Sequence, residues 1–423
     1  MAQDGRVNPP DRLRNWAGNH VYPASVVHRP RTVEQVQEVV AAAPRVRAVG
    51  SRHSFNDLVD APALISLDAL PELCELDPDG RTVRVGAAVR YGALATHLHA
   101  RGWALHNLAS LPHISVAGAV ATATHGSGDR SANLATAVVG LELVTADGSL
   151  LTLTRADADL AGAVVGLGAL GVVTALLLEV EPTYDVVQEV HTGLPWAVVL
   201  ADVDAVLGSA DSVSLFTDWQ GDAVAQVWRK TRITRGASGF TAPGAVRAGA
   251  AMHPLAGGDA ASTTEQLGVA GPWHERLPHF RMEFTPSAGE ELQSEWFVDR
   301  RDAAAAIEAV RALGQRLAPV LLVSEVRSVA ADGLWLSMAE GRDSVGLHFT
   351  WKPLQAEVEA LLPVVEQALA PYAARPHWGK LFADVDRDLD SRYPRMGDFR
   401  ALAARLDPDG TFRNDFLDRH VLG

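Results

Sequence analysis

The chain has 423 residues, enough for two domains with sizeable cores, and its 48% hydrophobic and 21% charged residues are typical of a globular protein. A formal net charge of −14 argues against nucleic acid or an anionic membrane surface as a partner, because either would call for a basic face. Neutral or cationic small molecules are easier to reconcile with this charge.

The single cysteine, Cys74, excludes an intramolecular disulfide and a metal cluster built on cysteines. The first ten residues carry no apolar segment behind their charges, so we expect no secretory signal and a cytoplasmic protein. Residues 161–178 are uncharged over a length close to that of a membrane span, but they contain four glycines and end in a β-branched run. We therefore expect a buried helix, a glycine turn and a buried strand there.

The N-terminal part alternates short helix and strand patterns. Thr32-Val-Glu-Gln35 is typical of a capping box, and valines then recur on one helical face as far as residue 44. A strand over residues 46–49 leads into a Gly-Ser turn. This alternation predicts a small α+β nucleotide-binding domain of mixed sheets over residues 1–182. Further strands are predicted over residues 64–67, 83–89 and 172–180, and a helix over residues 91–101.

After residue 182 the pattern favours an antiparallel sheet with covering helices, which we interpret as a cap over the first domain, residues 183–373. Residues 236–271 are rich in Ala, Gly and Pro and predict wide loops. Pro319 would end a helix that begins at residue 303. Strands are predicted over residues 212–219, 225–228 and 320–328, and helices over residues 303–317 and 354–369.

Two turns rich in glycine and serine are candidates for binding phosphate. The first, Gly50-Ser-Arg-His53, follows a predicted strand, and the second lies within residues 112–128, which carry almost no large side chain after Ile114. Small residues let the backbone approach a ligand closely, and the exposed N–H groups of such turns form anion-binding nests. The two turns could grip one diphosphate from both sides.

Two motifs match the sequence patterns of known sites but lack the neighbouring structure that those sites need. Gly166-Leu-Gly-Ala-Leu-Gly171 matches G-x-G-x-x-G, but a Rossmann site needs a strand before the motif and a helix after it, and the predicted order here is the reverse. His274-Glu-Arg-Leu-Pro-His279 spaces its histidines five apart around a proline, so they would not share a helix face as zinc ligands do. We predict neither an NAD site nor a metal.

Polar side chains interrupt two predicted strands that are otherwise apolar. Glu325 and Arg327 are two residues apart and so project from the same face. Charged groups on a buried strand need a partner or a polar cavity, and a polyol would serve, although an exposed edge strand or a structural ion pair is the alternative. His348 and Thr350 share a face in the same way, where a hydrogen-bonded core histidine is the alternative.

Two further candidates lie in short segments without periodicity. Lys380 ends His377-Trp-Gly-Lys380 in a chain with only three lysines against 34 arginines, which makes its position unusual, although a surface lysine is the alternative. Ser110 precedes the second turn, which raises it from an ordinary turn residue to a candidate for ligand contact.

Four blocks of this sequence together resemble the flavoprotein family of vanillyl-alcohol oxidase and the aldonolactone oxidases, and within it the alditol (xylitol, sorbitol) oxidases. The resemblance covers nearly the whole chain. It implies a two-domain α+β FAD-binding fold of the vanillyl-alcohol oxidase type, with an antiparallel-sheet substrate domain and a C-terminal segment, residues 374–423, that returns to the FAD-binding domain. The blocks are residues 49–56, residues 108–128, residues 324–327 with 348–350, and residues 375–380.

The resemblance also implies FAD, covalently attached through its 8α-methyl carbon to His53, whereas a histidine that only caps the turn is the alternative. Relatives with a second linkage carry a cysteine in the second turn, and its absence here implies a single tether. Arg52 stands where a glycine is common, which raises a question about the backbone angle of that turn. The residues expected to bind the cofactor are Ala48, Val49, Gly50, Ser51, Arg52, His53, Ser54, Ser110, Ser115, Gly118, Ala119, Thr122, His125, Gly126, Gly171, Val172, Thr350, His377 and Asn414.

The implied reaction is oxidation of the terminal primary hydroxyl of acyclic polyols, such as xylitol and sorbitol, to the aldose, with O2 reduced to hydrogen peroxide. We expect His348 to accept the alcohol proton, because a neutral imidazole is available near neutral pH. Lys380 and Arg327 would stabilise the developing alkoxide and position the C1 hydroxyl, and Glu325 and Ser110 would bind further hydroxyls.

Two other functions remain open at this stage. An aldonolactone oxidase or dehydrogenase would share the tether and the His-Trp-Gly-Lys signature, and a non-catalytic polyol-binding protein would carry no flavin. Ala109 is a candidate for the residue whose size decides whether O2 reaches the flavin, and the role of His106 is open. We further expect a monomer that binds neither nucleic acid nor a membrane.

Overall fold

The computed structural model describes residues 13–235, 243–284, 290–385 and 388–423. Within these ranges the strands are β1 Val26–His28, β2 Arg47–Val49, β3 Ala63–Ser66, β4 Cys74–Leu76, β5 Thr82–Gly86, β6 Trp103–Ala104, β7 Val138–Val144, β8 Leu150–Thr154, β9 Val172–Glu179, β10 Glu181–Pro182, β11 Asp185–Pro195, β12 Ser212–Thr217, β13 Ala223–Arg232, β14 Val246–Arg247, β15 Gly271–Pro272, β16 Leu292–Asp299, β17 Leu321–Val329, β18 Ser344–Trp351 and β19 Arg375–Pro376. The α-helices are α1 Val33–Ala42, α2 Tyr91–His99, α3 Val116–Ala121, α4 Leu160–Ala163, α5 Trp196–Ala201, α6 Val203–Leu207, α7 Ala303–Arg311, α8 Gly314–Leu317, α9 Gln355–Leu369, α10 Leu389–Arg392, α11 Met396–Leu406 and α12 Asp415–Leu417.

The N-terminal part contains two main sheets, as the mixed pattern predicts. Strands β1, β3 and β2 form a parallel sheet, and β4, β5, β9, β7 and β8 form an antiparallel one. Helix α1 begins where the Thr32 side-chain oxygen accepts a hydrogen bond from the Gln35 backbone N–H at 3.3 Å, and its Val36 and Val40 are buried. The strand that leads to the first Gly-Ser turn is therefore supported by this helix and by β3.

The second part is one large antiparallel sheet with helices on one face. In the described residues its strand order is β14-β11-β13-β12-β17-β18-β16-β19, and β15 pairs with β11. Side chains alternate between the two faces of a strand. Val326 and Leu347 join Ile307 of α7 and Val365 of α9 in one apolar core, and the polar residues next to them in sequence point to the opposite face.

The C-terminal segment returns to the first part, as the resemblance implies. Phe399 and Leu402 of α11 lie in the same core as Val83 and Leu176 of the five-stranded sheet. The buried side chain of Asn414 donates to three backbone carbonyls of residues 57–60. The fold thus combines a cofactor-binding domain with a second, sheet-based domain, while the boundaries after residues 182 and 373 stay predictions.

Several predicted elements differ in length from the observed ones. The helix expected over residues 303–317 is two helices, α7 and α8. The break precedes Gly314, whose Cα lies so close to Trp219 that an added Cβ would be 2.4 Å from the Trp219 carbonyl oxygen. The strand expected over residues 83–89 ends at Gly86, and the helix before the glycine turn is only α4.

Residues 161–178 form the end of α4, a turn and β9, as expected. In the described part of the chain, no helix combines the length and the apolar character needed to cross a membrane. The predicted wide loops of residues 236–271 fall partly outside the described residues, at 236–242, and the remainder contains short strands, turns and one 3-10 helix, Ala260–Ser262.

Candidate active site

A cavity of about 580 Å³ is lined by residues of both parts of the chain. Its wall includes the residues predicted to bind a cofactor, except for three. Gly126 lies against the Leu108 carbonyl, Val172 begins β9, and Asn414 anchors the C-terminal segment. The predicted substrate residues all lie on this wall: Ser110, Glu325, Arg327, His348 and Lys380.

The first Gly-Ser turn meets Ser115 at the cavity wall, and the second predicted turn, within residues 112–128, contains the short helix α3, which begins directly after Ser115. The Ser115 backbone N–H donates to Ser51 Oγ at 3.0 Å, and the Ser51 backbone N–H donates to Ser115 Oγ at 3.3 Å. A Cβ on Gly50 would lie 2.6 Å from Ser115 Oγ, so only glycine allows this approach. Arg52 adopts φ 64°, the left-handed region that favours glycine, which answers the question that its sequence position raises.

His53 follows Arg52 and lines the cavity. Its ring stacks on Trp16 with centroids 5.2 Å apart, and its Nδ1 is buried without a hydrogen-bond partner among the described residues. Burial, helped by the charge of Arg90, lowers the pKa of His53 to about 4, so the ring is neutral at physiological pH. A buried ring nitrogen that no protein group satisfies fits a position where a cofactor would contact or join the ring.

The loop that carries His53 also holds the His377-Trp-Gly-Lys380 segment. Asn56 Nδ2 donates to the carbonyls of Trp378 and Lys380, each at 2.9 Å, and the Phe55 backbone N–H donates to the Gly379 carbonyl at 2.8 Å. Lys380 is therefore fixed in position relative to His53, although more than three hundred residues separate them.

The second sheet contributes a row of polar residues. In its register Glu325 of β17 pairs with His348 of β18, and His348 pairs with Glu295 of β16. Paired residues of neighbouring strands share a face, so all three side chains point to the same side of the sheet. Strand β17 is internal to the sheet, which removes the edge-strand alternative for Glu325 and Arg327.

Glu295 is the centre of an ion-pair network that the sequence prediction missed. Its fully buried carboxylate accepts from Lys380 Nζ at 2.7 Å and from Arg327 Nη2 at 3.1 Å, and it lies 3.4 Å from His125 Nε2. Burial alone would raise the pKa of Glu295, but the charges of Arg327 and Lys380, together with the hydrogen bond from His125, hold it well below its usual range. Two cations of the cavity therefore share one ionised carboxylate.

Glu325 forms a second, adjoining network. Its Oε2 lies 3.5 Å from Arg327 Nη1, and the same nitrogen donates to Ser110 Oγ at 3.3 Å. Its Oε1 accepts from His279 Nε2 at 3.0 Å. Burial opposes ionisation of Glu325, but the charge of Arg327 and the contact with His279 hold its pKa well below its usual range.

His348 lies between the two carboxylates and is neutral. Burial, and then the charge of Lys380, lowers its pKa well below 6.5. Gln293 Oε1 accepts a hydrogen bond from His348 Nε2 at 3.2 Å. Nε2 therefore carries the proton of the ring, and Nδ1 holds the lone pair. Gln293 pairs with Thr350 in the sheet register, so these groups lie side by side on the wall.

His125, Glu295 and His377 bring one potential metal-ligating atom each within 4.8 Å of the others. A divalent cation at that point would lie beside the fixed positive charges of Arg327 and Lys380, which already neutralise Glu295. We interpret the triplet as part of the ion-pair network.

The residues that sequence reasoning missed are Glu295, Gln293, His279 and Lys230. Gln293 and Glu295 are also polar residues two apart, but they stand in the mostly polar run Glu290-Glu-Leu-Gln-Ser-Glu295, so they do not stand out from an apolar strand as Glu325 and Arg327 do. Of the other motifs, residues 166–171 form a turn between α4 and β9 that lines the cavity. His106 lines a separate cavity of about 140 Å³. His274 packs on His99, away from His279.

Comparison with known proteins identifies the family of this chain. The sequence model of an FAD-binding domain family matches residues 24–154, and that of D-arabinono-1,4-lactone oxidase matches residues 288–420. Alditol oxidase of a Streptomyces species is 50% identical to the chain, over 96% of this chain and 98% of the relative. L-Gulono-1,4-lactone dehydrogenase of Mycobacterium tuberculosis is 30% identical, over 97% and 98% of the two chains.

Among solved structures, cholesterol oxidase from B. sterolicum superposes with a TM-score of 0.77, covering 97% of this chain and 96% of that one. At 15% identity this likeness concerns the fold alone. The cavity with its two turns, the matched FAD-binding region and the near full-length relatives lead to one conclusion. The chain belongs to the aldonolactone oxidase and alditol oxidase branch of the vanillyl-alcohol oxidase family of FAD-binding flavoproteins.

Proposed function

We propose that this protein oxidises the terminal primary hydroxyl of acyclic polyols such as xylitol and sorbitol to the aldose, with O2 reduced to hydrogen peroxide. One observation carries the proposal: a compact set of acceptors and cationic donors, Glu325, Arg327, Ser110 and Lys380, lines one cavity with the neutral His348. A chain of hydroxyl groups both donates and accepts, and so suits such a mixed set. The Streptomyces relative, named alditol oxidase, supports the same substrate class.

The residues present fit FAD. The turn at residues 50–54 and the start of α3 at residues 115–119 would hold its diphosphate through backbone N–H groups, and the turn at residues 166–171 would contact its adenine half. We assign the covalent link to His53, and within it to Nδ1, because that buried nitrogen makes no hydrogen bond in the described residues. When bound, FAD supplies the oxidant, taking a hydride from the alcohol carbon and passing two electrons on to O2.

The side chains around the substrate would divide the remaining work. Glu325 would accept from a hydroxyl, while Arg327 and Ser110 donate to others. His348 would take the alcohol proton at Nδ1, the nitrogen that its contact with Gln293 leaves unprotonated. Lys380 and Arg327 would stabilise the oxygen as negative charge develops on it. Overall, RCH2OH and O2 become RCHO and H2O2, so atoms and electrons balance.

Oxidation of an aldonolactone is the second candidate, because the D-arabinono-1,4-lactone oxidase model matches the C-terminal third and the M. tuberculosis relative is a lactone dehydrogenase. We propose an oxidase rather than a dehydrogenase, since the buried, cavity-lining Ala109 presents only a methyl group.

A cytoplasmic location is proposed because one cysteine suits a reducing compartment. The monomeric state stays a prediction, which light scattering can check.

Anaerobic addition of xylitol to the purified protein tests the proposal. We expect the absorbance of oxidised flavin to bleach, to return on admission of air, and to yield one equivalent of hydrogen peroxide per aldose formed. L-Gulono-1,4-lactone is the matched comparison. Bleaching by the lactone but not by xylitol, sorbitol or mannitol would replace the polyol assignment with the lactone one. Bleaching that air does not reverse would indicate a dehydrogenase.

A further inference from the structure

Lys230 of β13 is buried on the cap side of the cavity although its side chain ends in an amine. Only 1% of it is exposed. Its Nζ contacts three acceptors: the carbonyls of Leu277 and Pro278 and the Nδ1 of His279, the last two at 3.1 Å. Burial lowers the pKa of Lys230 to about 7, while these three acceptors match the three protons of an ammonium group.

Contacts at both ring nitrogens of His279 decide which one carries the proton. Lys230 Nζ donates to Nδ1, and the ionised Glu325 carboxylate beside Nε2 can only accept, so the proton of the neutral ring lies on Nε2. Burial, together with the charge of Lys230, lowers the pKa of His279 to about 4, so the neutral form prevails at physiological pH. The rings of Phe216 and Trp228 meet the imidazole edge-on, with centroids 5.4 and 5.3 Å away, and fix its plane.

His279 connects this arrangement to two predicted substrate residues. Its Nε2 donates to Glu325 Oε1 at 3.0 Å, which leaves the other carboxylate oxygen beside Arg327. Its backbone N–H donates to the Ser110 carbonyl at 3.1 Å. One residue thus sets the orientation of an acceptor and a donor on the cavity wall, which come from segments about two hundred residues apart.

We propose that His279, held between Lys230 and Glu325, is a positioning residue for the substrate that fixes Glu325 and Ser110 as binding groups for the polyol hydroxyls beyond C1. This inference rests on the proposed function. It predicts that losing the Nε2 donor weakens polyol binding and changes the discrimination between polyols of different length, while the chemical step, which uses His348 and Lys380, changes little.

Two substitutions separate the two ring nitrogens. The amide of His279→Gln reaches the Nε2 position and can still donate to Glu325, whereas the shorter amide of His279→Asn reaches only the Nδ1 position. We expect His279→Asn to raise KM for xylitol roughly 10- to 100-fold, as for the loss of one hydrogen bond to a charged group, with kcat within about threefold. His279→Gln should recover most of the lost affinity, and the KM ratio of sorbitol to xylitol should change only in His279→Asn.

Lys230→Met tests the support that Lys230 gives to the His279 ring, with Lys352→Met as the matched control, because Lys352 donates to a backbone carbonyl at an exposed position. We expect Lys230→Met to raise KM for xylitol and Lys352→Met to leave it unchanged. If Lys230→Met fails to fold, the two His279 variants still test the inference. If KM of His279→Asn equals that of the wild type, or if His279→Asn and His279→Gln change KM equally, the inference about His279 is wrong while the proposed function stands. If no polyol reduces the flavin of the wild-type protein, the proposed function is wrong, and the inference fails with it.

Discussion

Glu295 Oε2 lies 2.7 Å from Lys380 Nζ, and none of the Glu295 side chain is exposed. The other oxygen of the same carboxylate contacts Arg327 at 3.1 Å. A buried carboxylate is stable as an anion only when it is paired, and here two cations from different segments pair with it. Glu295 therefore determines where both cations of the candidate site lie, without being one of the groups expected to contact the substrate.

Glu295→Gln should disturb both stability and activity. The amide keeps the shape but leaves Arg327 and Lys380 with an uncompensated buried charge, so we expect a loss of about 3–5 kcal/mol in the free energy of unfolding. Loss of the supporting contact should lower the rate of flavin reduction by xylitol roughly 10- to 100-fold. Denaturant unfolding and anaerobic stopped-flow absorbance measure the two effects. Glu308→Gln, on the exposed side of α7, is the control and should change neither.

The pH dependence of flavin reduction tests the role of His348. Burial and the charge of Lys380 lower its pKa well below 6.5, and a proton acceptor works only when unprotonated. The lowered pKa moves the acid limb of the profile to lower pH, so the rate should stay level down to pH 6.5 and fall only in more acid solution. His348→Ala should depress the rate roughly 100- to 10,000-fold. An acid limb centred above pH 6.5, or near wild-type reduction in the variant, would contradict the assignment.

Local sequence patterns were enough to identify the parts of the site that lie on single elements. Glu325 with Arg327, and His348 with Thr350, follow from period-two alternation on one strand. The turn before His53 follows from small residues after a buried strand. In each case neighbours in sequence are also neighbours in space, so the pattern carries the structural information.

Relationships between distant segments were not predictable in this way. Glu295 reaches Arg327 because β18 lies between β16 and β17 in a particular register, and strand order and register depend on the packing of the whole sheet. His279 belongs to a loop without periodicity, and Lys230 lies on β13, two strands away from β17 in the sheet, where its side chain contacts that loop. The break between α7 and α8 likewise depends on Trp219, nearly one hundred residues earlier.

Gly346→Ala tests the register directly. In the sheet register Gly346 lies opposite both Arg327 and Phe297. The Arg327 side chain passes over β18 at Gly346, which has no side chain, and so reaches Glu295. An added Cβ would be 3.1 Å from Glu295 Oε1 and 3.1 Å from the Phe297 ring, so the carboxylate must shift. We expect about 1–3 kcal/mol of destabilisation and slower flavin reduction by xylitol. Gly333→Ala, where a Cβ meets nothing within 4 Å, should leave both unchanged. Unaltered kinetics in Gly346→Ala would mean that Glu295 tolerates displacement and does not position Lys380.

The proposed tether at His53 has a readout independent of catalysis. Acid precipitation releases a flavin that is only bound but retains one that is bonded, so the washed wild-type pellet should keep flavin absorbance, and the intact mass should exceed the chain mass by one FAD. In His53→Ala the pellet should be colourless, while the folded variant should still bind FAD through the turn at residues 50–54 and the start of α3 at residues 115–119. His99→Ala, whose ring contacts His274 away from the cavity, should resemble wild type. A colourless wild-type pellet would remove His53 as the anchor and leave it as a residue of the turn. Retained colour in His53→Ala would move the bond to another side chain of the cavity.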